Sequence, residues 1–181
     1  MIAHLSPEHY VHSKWKNGGG VMIDIARSGE TWRFSRTPID KPGPFSDYAG
    51  FDRCQVLIGG RGLVLGTPEG DIDVRLPYRP VSFTGERRIV SRLENGPVEV
   101  VNLIGERAAV RIALKVLEAG QQMELSPGIH FAYAPTVPAE VTAEGKNHVL
   151  IMDHCLRIEP VSQTILACNN GRLLAASIVP V

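Results

Sequence analysis

Turn signals interrupt this sequence so often that they leave little room for long helices. Lys41-Pro-Gly-Pro44, Asn95-Gly-Pro97 and Ser126-Pro-Gly128 are examples, and Asn170-Gly171 predicts a two-residue β-hairpin. Between such signals, apolar and polar residues alternate with a period of two, most clearly over residues 71–76 and 110–116. A period of two indicates a half-buried strand rather than a helix. Many short strands of this kind predict an all-β antiparallel sandwich or barrel.

The same reasoning predicts individual strands along the whole chain. The predicted strands are residues 8–12, 21–26, 32–37, 55–58, 62–65, 71–76, 89–93, 98–104, 110–116, 129–133, 148–153, 164–167 and 173–179. The first part of the chain is rich in Gly and Arg and the second is more aliphatic, yet no flexible linker separates them. We therefore expect one compact unit, 1–181, with approximate halves 1–106 and 107–181.

Composition excludes several classes of protein. Nineteen basic and nineteen acidic residues give a net charge of zero, which provides no general attraction for nucleic acid. No apolar run is long enough to span a membrane, and the first residues lack the pattern of a signal peptide. Cys54, Cys155 and Cys168 show no CxxC spacing. They predict reduced, buried thiols in a cytoplasmic protein rather than a disulfide framework.

Motifs for metal binding or nucleophilic catalysis do not occur. The six histidines form no His-x-His pair; His9 and His12 would face opposite sides of a strand, and only His148 and His154 could share a face. No GxSxG is present, and His154 and Cys155 are adjacent and would point apart. We predict no metal and no cofactor.

Two segments have unusual local chemistry. In Lys16-Asn-Gly-Gly-Gly20, free N–H groups with Lys14 and Lys16 could bind an anion, or the glycines could simply form a sharp bend. Residues 43–53 combine aromatic rings with Ser46, Asp47, Asp52 and Arg53. Such a loop could form a pocket wall, or Asp52 and Arg53 could form a surface ion pair. The residues alone leave both questions open.

Taken together, these segments resemble one known family. The motifs Trp15-Lys-Asn-Gly-Gly-Gly20, Asp24-Ile-Ala26, Trp32-Arg-Phe-Ser35, Gly43-Pro-Phe-Ser46 and Gly50-Phe-Asp-Arg53 occur in the order typical of the HutD/Ves family. Further matches are Gly59-x-x-Gly-Leu63, Phe83-Thr-Gly-Glu86 and Gly96-Pro-Val98 leading to Asn102. The similarity is strongest over residues 10–105. The sequence departs from the family pattern at Val21–Ile23, at Asp24 in place of the common Glu, and at Val100.

This resemblance implies a cupin-like double β-barrel (a bicupin of the jelly-roll type) associated with histidine utilisation. It also implies a binding protein with a regulatory or sensor role, whose ligand is a small acidic metabolite such as N-formylglutamate. The residues that we expect to form the site lie in the matching segments. They are Trp15 as a wall, Asn17 and the Gly18, Gly19 and Gly20 backbone as donors, Arg33 or Arg53 for a carboxylate, Asp24 and Asn102 at the other end, and Ser35.

Two other functional classes compete with this hypothesis. A cupin-like isomerase or amidohydrolase would need its general acid and base from Asp24, Glu86 or His148. An interaction protein that binds an enzyme of the histidine pathway would need only an exposed patch. A homodimer is compatible with each of the three.

Overall fold

The computed structural model describes residues 1–181 and contains nineteen β-strands and no α-helix. In chain order the strands are β1 (Ile2–Leu5), β2 (Val11–Lys14), β3 (Val21–Ser28), β4 (Trp32–Ile39), β5 (Gly43–Pro44), β6 (Phe51–Gly59), β7 (Leu63–Thr67), β8 (Gly70–Val74), β9 (Val81–Thr84), β10 (Val90–Leu93), β11 (Val98–Glu106), β12 (Val110–Glu118), β13 (Gln122–Leu125), β14 (Ile129–Ala134), β15 (Ala139–Ala143), β16 (Lys146–Leu150), β17 (His154–Ile158), β18 (Thr164–Asn170) and β19 (Arg172–Pro180). The predicted all-β class is confirmed.

The chain forms two compact units. The first, here called the contiguous unit, is Val11–Ala109; the second, the split unit, combines Met1–Tyr10 with Val110–Val181. The contiguous unit contains a six-stranded sheet in the order β2-β3-β4-β11-β6-β9 and a four-stranded sheet in the order β5-β10-β7-β8. The split unit contains a five-stranded sheet, β1-β17-β14-β19-β12, and a four-stranded sheet, β13-β18-β15-β16. The first ten residues thus belong with the C-terminal part of the chain because β1 pairs with β17.

Most predicted strands lie within observed ones, but three local predictions were wrong. The predicted strand 148–153 ends at Leu150, and a turn over 151–153 leaves His148 on β16 and His154 on β17, so the two histidines do not share the face of one strand. Asn170-Gly171 does not close a hairpin, because β18 pairs with β13 and β15 whereas β19 pairs with β12 and β14. Gly171 instead turns the chain from one sheet to the other, and its φ angle is positive, at 77°. The Gly171 backbone lies so close to the carbonyl oxygen of Pro138 that a side chain would not fit there. A strong turn signal therefore fixes the local bend without fixing which strands pair.

The segment 8–12 was predicted as one strand and is not. Pro7–His9 forms a 3₁₀ turn, and β2 begins only at Val11. The His9 ring accepts a hydrogen bond from the Ser6 backbone N–H, with a nitrogen–nitrogen distance of 3.1 Å, and Pro7 occupies the first turn position. These two features stabilise the turn against an extended conformation.

The six-stranded sheet places a set of polar side chains on one inner face. Asn102 on the central strand β11 lies opposite Ser35 of β4 on one side and Gln55 of β6 on the other. Arg53 lies on the same face as Gln55, because side chains two residues apart on a strand point the same way. Next to this polar set is an apolar cluster that includes Ile39, Leu57, Leu63 and Val100.

The structure also shows where the three cysteines lie and how long its helical segment is. Cys54, Cys155 and Cys168 are free and buried, which confirms the predicted buried thiols. Burial raises the pKa of Cys155 well above the usual value for a thiol, so this group is a poor nucleophile at neutral pH. The helical segment Pro7–His9 is a single 3₁₀ turn, far too short to span a lipid bilayer as a helix.

Candidate functional site

A small cavity opens at the inner face of the six-stranded sheet, in the contiguous unit. Its volume is about 40 Å³, which is room for roughly three water-sized groups. Its apolar lining residues are Trp15, Met22, Ile39, Phe45 and Ile104, and its polar ones are Ser35, Thr37, Ser46, Tyr48, Arg53, Gln55 and Asn102. Most of this lining comes from β3, β4, β6 and β11, and the rest from the loops around Trp15 and Phe45. A rigid sheet therefore holds the polar groups, while two loops complete the wall.

Arg53 is the charged residue of this cavity, and it is almost completely buried, with 6% of its surface exposed. Three aromatic rings surround its guanidinium: the Cζ atom lies 5.0 Å from the ring centre of Phe45, 5.1 Å from Phe83 and 5.4 Å from Tyr48. Cation–π attraction of this kind partly compensates the loss of water. No carboxylate lies within salt-bridge distance, and the Nε–H has no hydrogen-bond partner. Burial lowers the pKa of Arg53 to about 10, so the group remains cationic at neutral pH.

The polar groups beside Arg53 form a connected array. The Oδ1 atom of Asn102 accepts hydrogen bonds from Nη2 of Arg53, at 3.4 Å, and from Nε2 of Gln55, at 3.0 Å. The Nδ2 group of Asn102 donates to Thr37 Oγ1 at 3.3 Å. Two buried atoms of the array, Ser35 Oγ and Gln55 Oε1, have no partner. Native proteins satisfy nearly all buried polar atoms, so these two orphaned atoms distinguish the cavity from an ordinary packed interior.

The glycine-rich loop, residues 16–20, supports the residues that form the cavity wall. Trp15 packs so closely on Gly20 that a Cβ atom there would lie 2.7 Å from the indole ring, and Trp15 Nε1 donates to the carbonyl of Val21. The Asn17 side-chain amide donates to the carbonyl of Pro44 at 3.0 Å, and the Asn17 backbone N–H donates to Ser46 Oγ. These bonds attach the loop to the segment that carries Phe45 and Tyr48.

The backbone donors of this loop are largely used within the protein. The Gly18 N–H donates to the carbonyl of Trp15, and the Gly19 N–H donates to Asn17 Oδ1 at 2.9 Å. The Gly18 residue has a positive φ of 73°, which only glycine adopts without strain. The contacts therefore favour the interpretation of this segment as a structural bend that positions Trp15. Ligand binding by Asn17 and Gly18–Gly20 stays a prediction.

Asp24 and Arg33 form an ion pair beside the cavity rather than in its lining. The distance from Arg33 Nε to Asp24 Oδ1 is 3.1 Å, and the Asp24 side chain is 2% exposed. Ser13 donates a hydrogen bond to the other Asp24 oxygen, and Arg33 also contacts the sulfur of Met22. Arg33 thus already has a counter-ion, whereas Arg53 has none. Of the two arginines proposed for a ligand carboxylate, the structure favours Arg53.

The cavity brings together Trp15, Ser35, Arg53 and Asn102 from the residues that the sequence suggested. It adds Gln55, which sequence reasoning missed. A simple signal could have found it, since residues i and i+2 of a predicted strand share a face and Gln55 follows Arg53 at that spacing. The surface alternative for Arg53 was wrong, because Asp52 pairs with the exposed Arg107 at 2.9 Å and not with Arg53.

The residues of the competing enzyme hypothesis lie elsewhere. Asp24 is paired with Arg33, and Glu86 forms an exposed ion pair with Arg107 that lowers the pKa of this carboxyl. His148 belongs to the split unit, where its Nδ1 lies 3.2 Å from His4 Nε2. No group of three or more His, Cys, Asp or Glu residues is arranged to hold a metal ion.

Comparison with known proteins places this chain in a family. The family model described as HutD matches residues 7–175. An uncharacterised 21.2 kDa protein in the hutC 3′ region of Pseudomonas putida is 31% identical over 165 residues, covering 86% of this chain and 85% of that protein.

Solved structures agree on the fold. The structure of HutD from Pseudomonas fluorescens SBW25, from a formate condition, has 26% identity and a TM-score of 0.86, with full coverage of both chains. A cupin 2 conserved barrel domain protein from Leptotrichia buccalis has 8% identity and a TM-score of 0.59, with 99% of this chain and 96% of that chain covered, which shows a cupin-like fold. The chain, with its cupin-like all-β fold and its buried arginine in an aromatic cage, belongs to the HutD family.

Proposed function

We propose that this protein binds a small acidic metabolite, with Arg53 as the residue that pairs with the ligand's anionic group. The supporting observation is the buried guanidinium of Arg53, which lies among three aromatic rings without any carboxylate partner. An unpaired buried charge costs several kcal/mol, and a bound carboxylate would offset that cost with charge-assisted hydrogen bonds.

The family membership supports a role in histidine utilisation, and we propose that the protein carries it out in the cytoplasm. The relative from Pseudomonas putida is described by its position in the hutC 3′ region. Acids formed in histidine breakdown, such as N-formylglutamate, are therefore the first ligands to test. Because no carboxyl, imidazole or thiol group lines the cavity, we favour a sensor or regulatory role over catalysis. We also propose that each unit is one half of a bicupin.

A thermal-shift and calorimetric titration with histidine, urocanate, formiminoglutamate, N-formylglutamate, glutamate and formate tests the proposal. A ligand at 100 times its Kd would stabilise the fold by about 2.7 kcal/mol. For a chain of this size that is a rise in Tm of roughly 5–10 °C, at about 2–4 °C per kcal/mol. At least one acid should give such a shift in the wild type.

The Arg53→Met variant provides the decisive arm of this experiment. Methionine fills a similar space in the aromatic cage but carries no charge, so the acid should no longer raise the Tm. The matched control is Arg88→Met, which removes an exposed arginine from the same unit and should leave the shift unchanged. An equal shift in the Arg53→Met protein would overturn the proposal, and so would the absence of any shift in the wild type.

A further inference from the structure

We infer that the ligand must also donate a hydrogen bond, and that Gln55 Oε1 is the atom that accepts it. The preferred ligand class is therefore a carboxylic acid with an N–H or O–H group close to the carboxylate, rather than a simple carboxylate. This inference rests on the proposed function and adds a second recognition element to it.

The neighbours of the Asn102 amide determine its orientation. A guanidinium has only N–H donors, so the Asn102 atom that faces Arg53 Nη2 at 3.4 Å must be the carbonyl oxygen. The amide nitrogen of Asn102 then faces Thr37 Oγ1 at 3.3 Å, and a hydroxyl can accept that hydrogen bond. The partners of Asn102 are thus consistent with a single orientation.

The orientation of Gln55 follows from that of Asn102. The Gln55 atom 3.0 Å from Asn102 Oδ1 must be a donor, because two carbonyl oxygens would repel each other at this distance. Gln55 Oε1 is therefore the end of the amide that points away from Asn102. This oxygen belongs to a side chain with no exposed surface, and it has no hydrogen-bond partner.

The two cavity-lining residues therefore carry unlike groups. Arg53 can only donate, whereas Gln55 Oε1 can only accept. Ser35 Oγ, which is also buried without a partner, can do either and so does not discriminate. A carboxylate alone would satisfy Arg53 and leave Gln55 Oε1 desolvated and unpaired, a situation that proteins generally avoid.

Distances limit how far apart the two ligand groups can be. Arg53 and Gln55 are two residues apart on β6, which corresponds to roughly 6.6 Å along the strand. Both side chains also reach the same atom, Asn102 Oδ1. With a cavity of about 40 Å³, the inserted part of the ligand is a head group of a few heavy atoms. An α-hydroxy acid or an N-acylated amine next to a carboxylate has this size and donor arrangement.

Three small acids test the inference on the unmodified protein. Glycolate carries a donor hydroxyl next to its carboxylate, acetate lacks the hydroxyl, and methoxyacetate carries an oxygen whose donor is blocked. NMR titrations that follow the side-chain signals of Arg53 and Gln55 would give the three Kd values. We expect glycolate to bind about tenfold more tightly than either other acid, the ratio expected when one buried acceptor is left unpaired.

The variants separate this inference from the proposed function. In Gln55→Met the preference for glycolate over acetate should fall to about one while acetate still binds; the exposed Gln122→Met control should keep the preference. In Arg53→Met both acids should lose binding. Equal, Arg53-dependent binding of glycolate and acetate by the wild type would refute the role of Gln55 and leave the anion site standing. Binding of these acids that does not depend on Arg53 would overturn both. No binding of any of the three would overturn the inference alone, since the titration with the six metabolites decides the proposed function.

Discussion

The two units of this protein are built from similar antiparallel sheets, but their interiors differ in chemistry. The split unit is filled by an apolar cluster that includes Leu125, Leu150, Leu156 and Leu166, all with at most 1% of their surface exposed. Its buried His130 has partners for both ring nitrogens, Ser177 Oγ at 2.9 Å and the carbonyl of Ser126 at 2.8 Å. The contiguous unit instead keeps Arg53, Gln55 and Ser35 buried with unpartnered atoms in the lining of one cavity, whereas the split unit has a single such atom, Nε2 of the half-buried His148.

This difference indicates a division of roles between the units. Buried polar atoms without partners reduce stability, and proteins commonly accept that cost where a ligand must bind. A well-filled apolar interior has the opposite effect, because it combines burial with close packing. We therefore interpret the split unit as a source of stability and the contiguous unit as the binding part.

The largest effect on stability should come from the apolar interior of the split unit. Leu156 is fully buried, so Leu156→Ala should lower the free energy of unfolding by about 2–5 kcal/mol. The comparison is Ser35→Ala in the contiguous unit, which removes a buried hydroxyl without a partner and should change stability by no more than about 1 kcal/mol. Urea denaturation of both variants measures the contrast. A loss of similar size in Ser35→Ala would mean that the polar interior is itself structural.

The Arg53→Met variant should be more stable than the wild type when no ligand is present. It removes a buried charge that has no counter-ion and keeps an apolar side chain in the aromatic cage, so we expect a gain of about 1–3 kcal/mol in the free energy of unfolding. The measurement is urea denaturation in a buffer free of carboxylates. A clear loss of stability would show instead that the guanidinium holds the fold together.

The sequence predicted the strands well because alternation is a local property. Residues 98–104 and 110–116, for example, lie inside β11 and β12. Strand pairing is not local, which is why Asn170-Gly171 was misread as a hairpin although it does form a turn. The choice of sheet for β19 depends on partners up to about seventy residues away along the chain, as in the pair Val110 and Pro180.

The candidate site was predictable only in part, for a related reason. Motif resemblance pointed to both Arg33 and Arg53, and sequence could not rank them. The difference lies in which groups face each arginine: Asp24 reaches Arg33, whereas aromatic rings surround Arg53. Those neighbours come from other strands and loops, so only the folded arrangement reveals which arginine lacks a counter-ion.

The buried His130 should make the split unit sensitive to mild acid. Burial lowers the pKa of His130 below its usual value near 6.5, so the folded state favours the neutral ring. The neutral His130 ring contributes its full stabilisation of the folded state above pH 6.5, and this contribution is lost as the pH falls towards the lower pKa of the folded state. The free energy of unfolding then falls by at most about 1.4 kcal/mol per pH unit for one proton. His148, whose pKa is also lowered, chiefly by burial, contributes in the same direction.

Chemical denaturation between pH 7.5 and pH 5 measures this effect. The wild type should lose stability over this range, and His130→Gln should show a flatter pH dependence than the wild type. The exposed His12→Gln serves as the control and should follow the wild-type curve. If His130→Gln also followed the wild-type curve, the acid sensitivity would have to come from other groups.

The smallest effect is expected at a surface arginine of the contiguous unit. Arg92 donates hydrogen bonds to both carboxylate oxygens of Asp71, at 3.1 and 2.5 Å, and the two side chains are about half exposed. The hydrogen bond from Arg92 holds the pKa of Asp71 below its usual value. In Arg92→Gln the pKa of Asp71 should rise towards the usual value, as measured by carboxyl NMR. The Tm should stay within experimental error, because exposed ion pairs are screened by water and salt.

A counter-ion would then contribute little to stability at Arg92 and much at Arg53, since only Arg53 is shielded from water. A marked loss of Tm in Arg92→Gln would break that contrast and show that surface ion pairs also stabilise this unit.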